Sequence, residues 1–233
     1  MLELIQQSNY AICADGAVEK LAEKKNARLL VVSDSHGSRD ILMSILRKFG
    51  KGTDALCFCG DGMPDLLGAI VSICHNPSFA EFLPPVIFFV RGNGDNSTYT
   101  VLANSHLAVR VPIEIEFTVA GKKIFMTHGH RYDVYYGTKD LKSVAREKNA
   151  SIAFYGHTHI SNIQYRNKLT VLNPGSCSLP RGGLPHTFAL VNIDSDTKSE
   201  KPDCDFYELK WDSNGEIAFY PYSPSTDEIN LFW

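Results

Sequence analysis

Residues 29–37 read Leu-Leu-Val-Val-Ser-Asp-Ser-His-Gly, a short apolar run that stops on an acid, a histidine and a glycine. The same grammar recurs four times. Ala55 to Cys59 runs into Gly60-Asp61, Val86 to Val90 into Arg91-Gly92-Asn93-Gly94-Asp95, Ile124 to Met126 into Thr127-His128-Gly129-His130, and Ile152 to Tyr155 into Gly156-His157-Thr158-His159. Helical stretches separate the first three runs. Arg39 to Phe49 carries an apolar stripe at Ile41, Leu42, Ile45, Leu46 and Phe49 with Gly50 as its stop. Pro64 to Cys74 opens on a proline suited to a first helical turn. A β-α-β-α-β order predicts an α/β fold, in which strand C-termini line one crevice and the residues after them converge.

Beyond residue 112 the period falls to two. Ile113, Ile115 and Phe117, an Ala-Gly-Lys-Lys turn and Ile124 to Met126 predict a hairpin. A helix near Lys139 to Lys148, a hairpin between Ile160 and Leu172 and a strand from His186 to Ile193 follow. A terminal hairpin, Phe206 to Trp211 and Glu216 to Tyr220, flanks Asp-Ser-Asn-Gly, after a polar connection from Ser195 to Asp203. The second half is thus mostly antiparallel, giving an α/β chain with α+β segregation. Residues 1–27 read as an N-terminal helical extension, with Asp15 as cap for Ala17 to Lys25. Residues 28–233 read as one domain with a C-terminal hairpin from about residue 204.

With 233 residues there is room for one large core plus an appendage. A net charge of −3 lacks the basic excess that a phosphate backbone demands, so nucleic acid is not favoured as a partner. The six cysteines form no disulfide framework. The opening Met-Leu-Glu-Leu-Ile-Gln-Gln has no basic, then apolar, leader pattern, and no apolar run approaches a membrane span. A cytoplasmic protein with reduced thiols is expected.

Taken singly, each Asp-x-His or Gly-x-His reads as an ordinary turn; five at successive strand ends point to a site. The donors are oxygen and imidazole without thiolate, a set for Mn²⁺, Zn²⁺, Fe²⁺ or Ni²⁺ in an open catalytic centre. Seven candidates, Asp34, His36, Asp61, Asn93, His128, His157 and His159, exceed the needs of one catalytic ion. They suit two ions sharing a carboxylate, for which Asp61 is the natural bridge. Asp34/His36 and His157/His159 are two apart, a spacing that extended backbone projects to one side. Cys57 and Cys59 read as small buried hydrophobes, and His75, His106 and His186 as lying outside the site. Arg91 and Arg181 are open to two readings, neutralising phosphate oxygens or serving the structure.

The ordered set Asp-x-His, Gly-Asp, Gly-Asn, Thr-His-Gly-His and Gly-His-x-His resembles the calcineurin-like metallophosphoesterases. Val90 to Asp95, Thr127 to His130, Asn173-Pro174-Gly175-Ser176 and Pro180-Arg181-Gly182-Gly183 resemble, more narrowly, the small phosphodiesterases of the YfcE type. The likeness spans roughly residues 28–195. It implies a four-layer α-β-β-α sandwich and two divalent ions, Mn²⁺ foremost. One ion would be held by Asp34, His36, Asp61 and His159, the other by Asp61, Asn93, His128 and His157. It also implies hydrolysis of a small phosphoester, a diester above a monoester, by attack of a metal-bridging hydroxide, with the Asn93 amide taking up charge. One departure stands out: Gly94 occupies the place where many members carry a histidine that protonates the leaving group. His130 is the candidate acid in its stead, with a purely structural role as the alternative. Two rival readings stay open, an inactive fold serving as a protein-interaction scaffold and a metal-dependent hydrolase of amides or other esters. Homo-oligomer formation is left open as well.

Overall fold

The apolar runs are strands buried on both faces, which is why they show no polar alternation. A computed structural model describes residues 5–102, 106–196 and 201–227. In chain order β1 (Ile5–Gln6), β2 (Ile12–Cys13) and α1 (Ala17–Glu23) precede β3 (Asn26–Val32). Next come α2 (Arg39–Ile45), which continues as a π turn over Leu46–Gly50, β4 (Ala55–Phe58), α3 (Met63–His75) and β5 (Val86–Phe89). β6 (Thr98–Leu102), β7 (His106–Arg110), β8 (Glu114–Val119), β9 (Lys122–Thr127), α4 (Lys139–Glu147) and β10 (Ile152–Phe154) follow. The described chain closes with β11 (Ser161–Arg166), β12 (Leu169–Pro174), β13 (His186–Asp194), β14 (Asp203–Trp211) and β15 (Ile217–Tyr222).

One sheet has eight strands in the order β1-β2-β5-β4-β3-β13-β14-β15, with β3, β4 and β5 parallel. A second has five in the order β11-β12-β10-β9-β8, with β9, β10 and β12 parallel. Strand alternation sorts the core into layers. Leu29, Val31, Cys57 and Phe88 face the second sheet, where they meet Ile124, Met126, Ile152 and Phe154. Leu30, Val32, Leu56 and Phe89 turn the other way, onto Leu42 and Ile45 of α2 and Leu66 and Ile70 of α3. Outside the second sheet, Phe125, Ala153 and Val171 are covered by Leu141 and Ala145 of α4. The result is the α-β-β-α sandwich. Each fully buried Phe or Leu contributes roughly 1.5–3 kcal/mol, so three such layers hold the fold without help from the polar site.

The expected elements are present, with differences at their margins. The turn of the β8–β9 hairpin is two residues, Ala120 (φ 46°) and Gly121 (φ 71°), so Lys122 and Lys123 already belong to the strand. The N-terminal segment carries its helix but also β1 and β2, and β2 joins the sheet edge by pairing Ile12 with Ile87 of β5. The residue capping α1 is Gly16 in a left-handed conformation, not Asp15. The ribbon of β6 and β7 (Tyr99 opposite Val109) has no counterpart in the sequence reading. Part of the polar connection, residues 197–200, lies outside the described residues, as does the side chain of His106. No helix among the described residues is long and apolar enough to cross a membrane.

Candidate metal centre

β3, β4 and β5 end in register, with Val31 opposite Cys57 and Phe58 opposite Phe89. Their exits, with those of β9 and β10, therefore meet at one edge. The exits are stitched to one another through main chain: Asp34 N–H donates to Gly60 O (2.9 Å), His36 N–H to Asp61 O (3.2 Å) and Gly156 N–H to His128 O (3.0 Å). Here the extended-backbone account of the Asp-x-His and His-x-His spacings fails. Asp34, His36, Asp61, His157 and His159 all have positive φ, between 40° and 68°. It is left-handed turns that bring their side chains inward. Two glycines make the fit: a Cβ on Gly92 would stand 1.9 Å from Asp61 Oδ1, and one on Gly156 2.0 Å from Ser33 Oγ.

Asp34 is fully buried. Its Oδ2 accepts from Ser33 Oγ (2.5 Å) and the His157 N–H (3.1 Å). Its Oδ1 has no hydrogen-bond partner and lies 3.3 Å from His159 Nε2, 3.7 Å from His36 Nε2 and 3.9 Å from His128 Nε2. Asp61 Oδ1 accepts from the Gly94 N–H (2.7 Å), which leaves Oδ2 3.4 Å from His128 Nε2 and 3.9 Å from His36 Nε2. His128 Nδ1–H donates to Cys59 O (2.7 Å) and His159 Nδ1–H to Leu179 O. Both rings thereby turn Nε2 inward, and His128 Nε2 is itself buried without a partner. The Nε2 atoms of His36 and His159 face each other at 3.1 Å.

Among the described residues two donor groups emerge, Asp34/His36/His159 and Asp34/Asp61/His128. Converging lone pairs, two buried carboxylates and orphaned Asp34 Oδ1 and His128 Nε2 fit divalent cations. Asp34 is common to both groups, where Asp61 alone was expected to be shared. His157 joins through its ring, 5.0 Å from that of His128, and His130 lies 5.5 Å from His128 and 6.1 Å from His157. Asn93 stands in the exposed turn whose Gly94 reaches Asp61.

Charge follows from this packing. Burial drives the Asp34 carboxyl upward, but the neighbouring His159, His36 and His128 imidazoles hold it well below the usual carboxylate range. Asp61 is likewise lowered, with His128 outweighing burial. His36 is raised by the Asp34 carboxylate beside it, and His128 is raised by Asp61 and Asp34 in spite of burial. His157 falls to about 4 through burial and the nearby His128, and His130 falls for the same two reasons.

Several supporting residues had gone unassigned. Asp65 accepts from Ser35 Oγ (2.5 Å) and Gly37 N–H (2.8 Å), fixing the turn that carries His36. Ser176 Oγ donates to Asp34 O (2.7 Å), and Asn173 Nδ2 to Gly156 O (2.8 Å), giving the Asn-Pro-Gly-Ser segment a physical role. Tyr135 Oη donates to His157 O (2.9 Å) and receives Arg181, whose guanidinium overlies its ring. Cys57 and Cys59 are buried in the core between the sheets, and neither thiol belongs to the donor groups.

A family model described as a calcineurin-like phosphoesterase superfamily domain matches residues 28–196. The phosphodiesterase YfcE of Escherichia coli K12 is 28% identical over 172 residues, covering 72% of this chain and 88% of that protein. A solved Streptococcus pneumoniae TIGR4 protein, titled a predicted phosphoesterase, superposes with a TM-score of 0.59 at 26% identity, over 85% of this chain and 99% of that one. The vacuolar protein sorting protein Vps29 of Entamoeba histolytica, solved with Zn²⁺, shares the fold at 17% identity with a TM-score of 0.56, over 87% and 99% of the two chains.

Proposed function

Since the chain belongs to the calcineurin-like phosphoesterase superfamily, a family of hydrolases acting on phosphoester bonds, we propose that it is a phosphodiesterase with a two-metal centre. The ions would be held by Asp34, His36, Asp61, Asn93, His128, His157 and His159. Mn²⁺ is the first candidate, then Zn²⁺, Fe²⁺ or Ni²⁺. The observation that carries this reading is the bare, buried Asp34 Oδ1 within 4 Å of three imidazole nitrogens. Bound divalent ions supply Lewis acidity and make water a competent nucleophile near neutral pH. The protein's own part is orientation and proton handling. Cys59 and Leu179 carbonyls lock the two histidine rings, and Gly94 aims the Asp61 carboxylate. The Asn93 amide would donate to a phosphoryl oxygen, and His130 would protonate the departing oxygen as the P–O bond breaks.

Diester preference is supported by the likeness to YfcE. Six unpaired cysteines support a reducing, cytoplasmic setting. All seven donor positions hold competent residues, which disfavours the inactive scaffold. The experiment is a panel of phosphomonoesters and phosphodiesters run with each metal, before and after chelation. Metal-restored diester hydrolysis, with circular dichroism unchanged by chelator, is expected. Bound metal without hydrolysis would favour the scaffold, and turnover of amides or carboxylic esters alone would favour the third reading.

A further inference from the structure

The end of the molecule that carries the metal centre also carries an exposed aromatic surface that the proposed reaction does not use. β13 pairs Ala189 with Val31 of β3 and His186 with Leu209 of β14. β14 lies two strands from β3 in the sheet, and Trp211 lines one groove with Gly37 and Asp65 of the metal-site turn. Leu209 faces the core beneath α2 and α3, and Trp211, two residues on, emerges on the same face. It is 46% exposed and steadied by the His186 ring, edge to face at 4.9 Å.

Between the indole and the start of α2 runs a groove of about 550 Å³ whose wall includes Gly37, Ser38, Arg39, Asp40 and Asp65. Gly37 and Asp65 are hydrogen-bonded to each other in the turn that holds His36, so the groove opens beside the donors. A second groove lined by Trp211 leads on to Arg47 and Lys48. A flat apolar face bordered by a hydroxyl, a guanidinium and a carboxylate is the complement of a heteroaromatic ring, apolar on its faces and hydrogen-bonding at its edges. An acyl chain would leave those polar groups without partners. The groove runs from the turn beside the donors to the indole, the order in which a nucleoside ester presents its phosphate and its base.

Building on the phosphodiesterase reading, we propose that Trp211 is the specificity-determining residue of a nucleobase subsite, and that the substrate is a small phosphodiester bearing a nucleoside on one side. The phosphoryl group would sit at the strand ends and the base against the indole.

Two arms test this with the full chain. In the first, thymidine 5′-(p-nitrophenyl phosphate) is compared with methyl p-nitrophenyl phosphate, which shares its leaving group but lacks a nucleoside. Trp211→Ala should raise KM about tenfold for the nucleoside ester, as loss of one base stack does, and leave the methyl ester unchanged. Trp211→Phe should keep most of the affinity. An equal rise for both esters, or none for either, would overturn the proposal. In the second, Trp233→Phe leaves Trp211 as the sole tryptophan, and its emission is followed during titration with AMP. Saturable quenching by AMP but not by ribose 5-phosphate is expected. No quenching, or the same response to both, would overturn the subsite. If neither ester is hydrolysed, the phosphodiesterase reading fails while the fluorescence arm still decides the groove.

Discussion

Asp95 Oδ2 takes the main-chain N–H of Asp61 at 2.8 Å, across 34 residues of sequence. The same carboxylate accepts from Gly92 (3.0 Å), Met63 (2.9 Å) and Gly62 (3.1 Å). One side chain thus joins the exit of β4, the first turn of α3 and the turn that bears Asn93. Its charge also faces the positive end of the α3 dipole.

Asp95→Ala should therefore act twice. Four N–H groups lose their acceptor, two of them at the start of α3, which costs about 2 kcal/mol of stability in urea unfolding. Metal affinity should fall roughly 10–100-fold, the usual effect of removing a partner behind the ligands. Normal metal content by elemental analysis would show that the Asn93 turn holds its place without Asp95.

Asp34 and Asp61 each aim one free oxygen at the histidine Nε2 atoms, so Asp34→Asn and Asp61→Asn should each leave less than one metal per chain. Activity should drop by more than about 100-fold in both, beyond what outer partners cost. Asp61→Asn is expected to strip both ions. A variant that retains two metals and near-normal turnover would remove that residue from the ligand set. Gly92→Ala should resemble Asp61→Asn in a folded protein, because its Cβ would stand where the Asp61 carboxylate does.

Without metal, stability should peak near pH 6.5. His157 (about 4) and His130 bind protons less readily folded than unfolded, so stability rises with pH up to the unfolded value of 6.5. Asp34 and Asp61, lowered in the fold, add to the acid side of that rise. His36 and His128 are raised, so their contribution is complete below 6.5 and is lost as pH climbs through their folded values. Melting temperatures of chelated protein from pH 4 to 9 test the peak. A monotonic rise to pH 9 would mean that the raised histidines are misassigned.

His130→Ala should slow alkyl esters more than nitrophenyl esters, since only a poor leaving group needs a proton. As its pKa is lowered, the excess should be larger at pH 6 than at pH 8. His128→Ala, removing a ligand, should slow every ester alike. Equal fractional loss for both ester types in His130→Ala would transfer the acid role to solvent.

The layers were legible because β3, β4 and β5 are buried on both faces, and Leu29 to Val32 reads as a strand by composition alone. Their exits were legible because Asp, His and Gly in that order are rare inside a core. The β6–β7 ribbon was not, since its Thr98 to Leu102 run acquires meaning only where Val101 and Val109 pack against the helical layer. Nor was β2, whose two residues form a strand only because β5 offers an edge. Asp65 and Asp95 look like any other acids; their importance lies in main-chain groups 28 and 34 positions away. The backbone at Asp34 and His36 was misjudged for a related reason. Spacing alone does not separate an extended pair from two left-handed residues when loops from β4 and β10 impose the conformation.

That left-handed backbone sets catalysis and thermal robustness against each other. Asp34, His36, Asp61, His157 and His159 each occupy a conformation costing on the order of 1 kcal/mol or more, which glycine adopts freely and asparagine tolerates. A lineage released from phosphoester hydrolysis would gain melting temperature by drifting to those residues, His36→Gly first among the exposed positions. Each such step removes a donor and rewards its own retention. Decay of the centre would then run downhill, and its recovery would require a descendant to become less stable before it became active again.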